Sequence, residues 1–440
     1  MIEANVDAIV GPTHHFGGLG VGNLASMVHR NQPSNPRDAA LAGLNKAALV
    51  SRFGIPQFFW LPPERPQLSF LAALGFHGSL ADQLKAAYET APHILSAAYS
   101  SSFMWAANSA TVSPSCDTQD GNLHVTPANL VSSWHRGMEA LERVVDFRHQ
   151  FAGVRQLIIH EPLPSLMPIR DEGAANHMRL CNRSGEIGCN VFVFGEDREQ
   201  ESPSRFMPRQ TRAACEAIAR RHGLDPAQTF YLRQHPQAIS AGVFHNDVIA
   251  TSHRDLLIHH EFAFLDAQPE LDRLTRRFLE QTGQPLRRIE ISSAELPLED
   301  AMRSYFFNSQ ILSPTDTKHF GETVLLCPAQ CQSISTARAL VARLLSDPQV
   351  AIDAAHFVSL DESMAGGGGP ACLRLRLPLR AGELERLDSR HRLTEESLER
   401  LTGAIEQHYP TCVEFQDLAT AEFAHLVQHA RQRLVAAVLS

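Results

Sequence analysis

The stretch Met364-Ala-Gly-Gly-Gly-Gly-Pro-Ala-Cys372-Leu-Arg-Leu-Arg-Leu377 sets the reading of this chain. Four glycines and a proline deliver a cysteine to a segment that alternates leucine with arginine. Glycine opens backbone conformations closed to other residues and leaves room for a ligand. The proline stiffens the chain just ahead of the thiol, which suggests placement rather than slack. The alternation has the two-residue period of a strand. No Gly-Lys-Ser/Thr occurs, and a strand rather than a helix follows, so the run is neither a phosphate loop nor a dinucleotide fingerprint. The plainer alternative is a flexible surface turn. Cys372 is therefore a candidate nucleophile, and its base must come from elsewhere in the chain.

Composition bounds the rest. The chain has 440 residues, is 44% apolar and 20% charged, and carries a formal charge of -9. That supports a sizeable core and argues against a general nucleic-acid or acidic-membrane surface. No apolar run approaches the roughly 18 residues of a membrane span. The opening MIEANVDAIVG lacks a secretory pattern, so a soluble protein of the cytoplasm is expected. Eight scattered cysteines include no Cys-x-x-Cys, which favours reduced thiols over disulfides. The adjacent histidines His14-His15 and His259-His260, read as strand residues, face opposite sides, so packing is favoured over metal ligation.

Short apolar runs alternate with helical patterns, which indicates α/β or α+β architecture. Asn35-Pro36 opens a helix that Gly54 stops. Helices are also expected over 80–91, 127–141, 208–222, 269–281, 334–346, 394–407 and 417–438. Expected strands include Val154–His160, Val191–Gly195, Val248–Ser252, Leu256–His260 and Leu373–Leu377. No linker divides the chain and no repeat of fixed period is visible, so 1–440 reads as a single catalytic domain.

Several segments carry polar groups of catalytic type. Phe244-His245-Asn246-Asp247 places imidazole and carboxylate just before a strand; a plain Asn-Asp turn is the alternative. Arg170-Asp171-Glu172-Gly173-Ala-Ala-Asn176-His177 sets two acids among small residues, and a carboxylate there can orient an imidazole. An acidic helix start explains it equally well. Gly17-Gly18-Leu19-Gly20-Val21-Gly22-Asn23-Leu24-Ala25-Ser26 suits a loop closing over a ligand. Asn108 follows Trp105, and His135-Arg136 follow Trp134. Arg209 and Arg212, three apart, are expected on one helix face, suited to a carboxylate.

In this order, GPTHHFGGLGVGN, MWAANSATVSPSCDT, DEGAANH, FHNDVIA, YFFNSQILS and MAGGGGPACLRLR resemble the N-succinylarginine dihydrolase family of the guanidine-modifying, or pentein, superfamily. The resemblance runs nearly end to end. It implies a five-bladed α/β propeller of ββαβ units about a pseudo-fivefold axis. It places the nucleophile on Cys372, the catalytic histidine on His245 and the catalytic glutamate on Glu172. Substrate contacts fall on the Gly17–Ser26 loop, Asn108, His135, Arg136, Arg209, Asp247 and Gly366. The implied substrate is N2-succinyl-L-arginine, consumed in arginine catabolism by a homodimer without metal or organic cofactor. By residue type, Asp247 and Asp117 are candidates for the guanidinium, and Arg136 and Arg209 for the anionic end.

One position departs. The family has Met-Ala-Asn-Gly-Gly-Gly where this chain has Met-Ala-Gly366-Gly-Gly-Gly, so a substrate-contacting amide is missing. The alternatives are a single-round deiminase or amidinotransferase acting on another guanidine, a hydrolase of amides or thioesters, and a binding protein of the same fold without chemistry.

Overall fold

The computed structural model describes residues 1–198, 203–316 and 318–439. Among them, sixteen strands form five small sheets. They are β1 Ile2–Ala8, β2 Gln57–Trp60, β3 Ala110–Ser113, β4 Leu123–Pro127, β5 Leu157–Ile159, β6 His177–Cys181, β7 Gly188–Phe194 and β8 Thr229–Gln234. They continue as β9 Ala250–His253, β10 Leu256–His260, β11 Phe264–Leu265, β12 Arg287–Ile291, β13 Gln310–Leu312, β14 Val324–Pro328, β15 Ala354–Val358 and β16 Arg374–Leu379.

The five sheets share one pattern. An inner strand pairs antiparallel with a middle strand, and the middle strand pairs parallel with an outer one. This holds for β3-β4-β5, β6-β7-β8, β9-β10-β12, β13-β14-β15 and β16-β1-β2. β11 adds to the edge of β8. A parallel pair needs a crossover, and a helix supplies it each time: Pro36–Arg52, Ala140–Gln150, Arg212–Arg221, Gln268–Thr282 and Ser335–Ser346. These are five ββαβ units. The inner strands meet around a common axis, β16 against β3, β6 against β9 and β9 against β13.

One unit is split. Its inner strand β16 lies late in the chain and its other strands lie first, so β1 and β16 close the ring with Ile2 opposite Leu379 and Asp7 opposite Arg374. The side-chain alternation of β16 is resolved by this packing. Leu375, Leu377 and Leu379 are buried with Ala4, Val6, Phe58 and Trp60, while Arg374 and Arg376 turn to the axis. On β1, Asp7 forms a buried ion pair with Lys46 of the helix Pro36–Arg52.

Local signals account for many elements. Asn35 caps the helix Pro36–Arg52, accepting from Asp38 N at 3.1 Å, and Thr211 caps Arg212–Arg221. The helix expected over 127–141 does not form. Leu130 takes a φ of +52, and buried Asn129 holds neighbouring chain: its Nδ2 donates to Ile169 O at 2.9 Å and its Oδ1 accepts from Asp171 N at 3.0 Å. Short helices Trp134–Gly137 and Ala140–Gln150 follow instead. His14 and His15 lie on a loop rather than a strand. The glycine run closes a helix, Asp361–Gly366, with Gly367 at a φ of +97. A side chain at 367 would meet Asn23 Nδ2, 1.9 Å from its Cβ.

Lys46→Met should leave the Asp7 carboxylate buried without its counter-charge. The expected loss is about 3–5 kcal/mol, the usual range for removing one partner of a buried pair. Urea denaturation measures it; an unchanged midpoint would show that ring closure does not use the pair.

Candidate active site

At one end of the axis, the chain makes a tight turn before each inner strand. Four are 3₁₀ turns: Ala106–Asn108, Gly173–Asn176, Asn246–Val248 and Phe306–Asn308. The fifth is the turn at 370–373, ahead of β16. Hydrogen bonds link each to the next. Ala107 N donates to Cys372 O at 3.1 Å. Asn108 Nδ2 donates to Glu172 O at 3.0 Å, and Asn246 N donates to Asn176 Oδ1 at 2.9 Å. Asn308 Nδ2 donates to Asp247 O at 3.1 Å, and its Oδ1 accepts from Ala371 N at 3.0 Å and Cys372 N at 3.1 Å. The bonds form a closed ring through all five units. Gly173, at a φ of +68, permits the close approach, since a Cβ there would sit 3.1 Å from Asn108 O.

The three principal candidates therefore arrive on three turns of one ring. Cys372, His245 and Glu172 are 3%, 2% and 0% exposed. Cys372 and His245 line one cavity of about 110 Å³ with Asn108, His135, Arg136, Arg209 and Gly366. His245 Nε2 lies 2.8 Å from Glu172 Oε2. That bond places the ring proton on Nε2 and leaves Nδ1, which has no partner among the described residues, free to take or give a proton. Glu172 also accepts from the Ser132 hydroxyl, and Arg136 Nη1 stands 2.8 Å from Oε2. Burial pushes the Glu172 carboxyl up, but Arg136 first and then His245 outweigh it and hold it below the usual carboxylate range.

Cys372 Sγ accepts from Asn308 Nδ2 at 3.1 Å and donates to Asp247 Oδ2 at 3.4 Å. Burial, then the neighbouring Asp247, pushes the thiol well up. Burial pushes the Asp247 carboxyl up to about 7, and pushes the His245 imidazole down to about 4 against the pull of Glu172. The resting site thus holds a neutral thiol and a neutral imidazole, not the charged histidine that a preformed ion pair would need.

Two arginines face the cavity. Arg136 is buried, and although ion-paired with Glu172 it directs none of its N–H groups along a hydrogen bond within the protein. Arg209 donates to Val21 O at 2.8 Å and lies over the Phe244 ring at 4.8 Å. Burial pushes its guanidinium down to about 10. His135 is held neutral, its imidazole pushed down to about 3 by burial and then by Arg136. Two cations against the single carboxylate Glu172 leave this cavity short of negative charge. A buried cation is stable only when matched, so the site suits a ligand with anionic groups.

The remaining expectations divide. Gly17, Gly18, Leu19, Gly20, Asn23 and Ser26 line the cavity, whereas Val21, Gly22, Leu24 and Ala25 do not. Asn23 ties the loop to the glycine run, its Nδ2 donating to Gly367 O at 3.3 Å. His14 and His15 also line the cavity. Asp247 touches the thiol but lines a separate cavity on the axis. Arg212 pairs with Asp197 and Glu216, so it does not join Arg209 on a carboxylate. Asp117 is held by Arg179 at 2.6 and 2.7 Å and lines neither cavity. Asn308 and Ser132 were not anticipated as site residues. Only the repeated Asn before a strand could have pointed to Asn308, and no sequence signal marks Ser132.

A five-unit ββαβ ring with a buried cysteine, an imidazole and a carboxylate at one axial end defines a guanidine-modifying enzyme of the pentein fold. The N-terminal domain of ArgZ, bound to product, an arginine dihydrolase from the ornithine-ammonia cycle in cyanobacteria, superimposes with a TM-score of 0.50 at 12% identity, over 86% of this chain and 98% of that one. AgrE, in ternary complex with ornithine and NAD+, gives 0.51 at 15% identity over 86% of this chain and 40% of that one. The succinylarginine dihydrolase family model matches residues 1–439. N-succinylarginine dihydrolases from Nitrosospira multiformis and Shewanella piezotolerans are 42% and 40% identical, over 98% and 95% of this chain and 95% and 93% of theirs. The chain belongs to the succinylarginine dihydrolase family.

Because the resting thiol is neutral, its alkylation by iodoacetamide should rise steadily from pH 7 to pH 9 with no plateau. A plateau near neutrality would reveal a preformed thiolate and overturn the resting state derived above.

Proposed function

We propose that this chain hydrolyses N2-succinyl-L-arginine to N2-succinyl-L-ornithine, two ammonia and carbon dioxide, with Cys372 as nucleophile. The observation that carries the reading is Arg136: a buried guanidinium, ion-paired with Glu172 but with no N–H directed along a hydrogen bond among the described residues, in one cavity with Cys372 and His245. Arg136 and Arg209 match the two carboxylates of the substrate. Its guanidinium supplies the positive charge that the thiol lacks at rest.

The substrate cation beside Cys372 and Asp247 favours both ionised forms, so binding itself lowers the cost of making thiolate. Asn308 Nδ2, 3.1 Å from Sγ, is placed to stabilise that charge. The Cys372 thiol gives its proton to His245 Nδ1 as sulfur bonds to the guanidinium carbon, and the charged imidazole then passes that proton to the departing ammonia as one terminal C–N bond breaks. Water then adds to the amidino carbon, His245 takes its proton, and the C–S bond breaks to give succinylcitrulline. Glu172 orients the imidazole and stabilises its charged form. A second round at the ureido carbon releases another ammonia, and the resulting carbamate loses carbon dioxide. Neutral urea assists the thiolate less than guanidinium does, so the second round depends more heavily on Asn308.

Residues 1–440 act in this reading as one catalytic unit, because its residues come from positions as distant as Gly17 and Cys372. A cytoplasmic homodimer is the setting that membership of the family suggests. Among the described residues no helix is long and apolar enough to cross a membrane.

Incubation with N2-succinylarginine should yield two ammonia per succinylornithine, and Cys372→Ser should abolish release while the protein stays folded. One ammonia with accumulating succinylcitrulline would establish a single-round deiminase instead. Gly366→Asn is a second test. A Cβ at 366 would lie 3.3 Å from Trp105 and 3.9 Å from His14, so an amide fits the cavity wall with a small shift of the indole. One added neutral hydrogen bond, about 0.5–1.5 kcal/mol, should lower KM about two- to tenfold; a raised KM would count against it.

A further inference from the structure

Beneath the five turns lies a second cavity of about 150 Å³, on the axis between the inner strands. It shares no lining residue with the active-site cavity, and the layer of turns separates the two. Asn246, Asp247 and Ala371 form the end nearest the thiol. Arg374 and Arg376 of β16, with Glu3 and Arg254, line its walls. The alternation that buries the leucines of β16 is what aims these arginines at the axis.

The charges here do not balance. Arg179, also at the wall, is neutralised by Asp117. Arg374 Nη1 lies 3.3 Å from Glu3 Oε1, and Arg376 Nε lies 3.6 Å from the same oxygen. Arg376 Nη2 donates to Ser252 O at 2.7 Å. The Arg254 side chain has no hydrogen-bond or ion-pair partner among the described residues. His253 stands 3.5 Å from Glu3, but burial pushes its imidazole down to about 3, so it adds no charge at neutral pH. Three guanidiniums therefore face Glu3 on the walls and Asp247 at the end nearest the thiol, which leaves positive charge in surplus. Burial, then Arg376, pushes the Arg374 guanidinium down to about 9, the direction expected of a crowded cation. Water alone is a poor match for surplus positive charge in a partly enclosed space.

We propose that the axial cavity binds a small oxyanion of the bicarbonate or phosphate kind, and that its occupation restrains the nucleophile. Guanidinium groups recognise such anions through paired N–H donors. Asp247 links the site to the thiol: its Oδ2 accepts from Cys372 Sγ, and its Oδ1 has no partner. Negative charge added behind Asp247 makes thiolate formation costlier. Bicarbonate, the hydrated form of the carbon dioxide released, would then act as a brake from a site the substrate does not occupy. Only this identification of the source rests on the proposed function.

The test uses the full chain at pH 8.5 and constant ionic strength, with sodium bicarbonate, inorganic phosphate, or chloride as control. Iodoacetamide alkylation of Cys372 and thermal unfolding are read in parallel. One of the two oxyanions should slow alkylation two- to fivefold and raise Tm relative to chloride, and whichever is effective identifies the source. Arg376→Ala and Arg254→Ala should abolish both effects, read within each variant as the ratio of alkylation rates, and the difference in Tm, with and without the oxyanion. Arg254, whose side chain has no hydrogen bond or ion pair among the described residues, secures a folded variant if Arg376→Ala does not fold. No oxyanion effect beyond chloride, or an effect that survives both substitutions, overturns the proposal. Oxyanion protection without turnover of succinylarginine would leave this site standing and remove the substrate assignment instead.

Discussion

Asn308 holds three of the five turns together with one side-chain amide. Its oxygen accepts from the backbone N–H groups of Ala371 and Cys372, and its two N–H bonds reach Asp247 O and the thiol. Every hydrogen on that amide is used, so the group cannot rotate without losing two bonds. The rest of the ring repeats the device with Asn108 and Asn176. A constellation drawn from five distant segments needs such cross-links, because sub-ångström placement of reacting groups is worth large factors in rate. The β16–β1 pairing supplies the other half of the constraint by closing the circle on which the turns sit.

Electrostatics in the site follow from enclosure. Burial drives Cys372, Asp247 and His245 toward their neutral forms, and only Glu172, faced by Arg136 and His245, is held charged. The resting enzyme is therefore poised rather than armed. A cationic electrophile restores the charge that burial removed, which couples recognition to reactivity and spares the thiol from other electrophiles.

Much of this was legible in the sequence where chemistry is local. Asn35-Pro36 and Gly54 bounded a helix, Leu-Arg alternation announced β16, and the motif order implied the family. The fivefold repeat followed from the resemblance and not from any visible period, because its common element is short: Ala-Ala-Asn at 106–108 and 174–176, Phe-Phe-Asn at 306–308, separated by unequal spacers. Long-range pairing escaped for the same reason. Asp117 and Arg212 had the right residue types, but Arg179 and Glu216 had already claimed them. The segment 127–141 had helical periodicity, yet Asn129 gains more by fastening the loop that carries Glu172. Tertiary hydrogen bonds overrode local preference there.

The split unit has a consequence for synthesis. Cys372 lies just ahead of β16, whose partner β1 is made before every other strand described. Until β16 emerges, β1 lacks its antiparallel neighbour, and four complete units must wait with one face of the ring open. Such a chain has high contact order, so its final closure is a slow step and exposes strand edges meanwhile. The same geometry makes the protein a natural subject for circular permutation. Chain ends moved to the loop between two units would let every sheet form from contiguous sequence, and activity could then appear as soon as the last turn joined the ring.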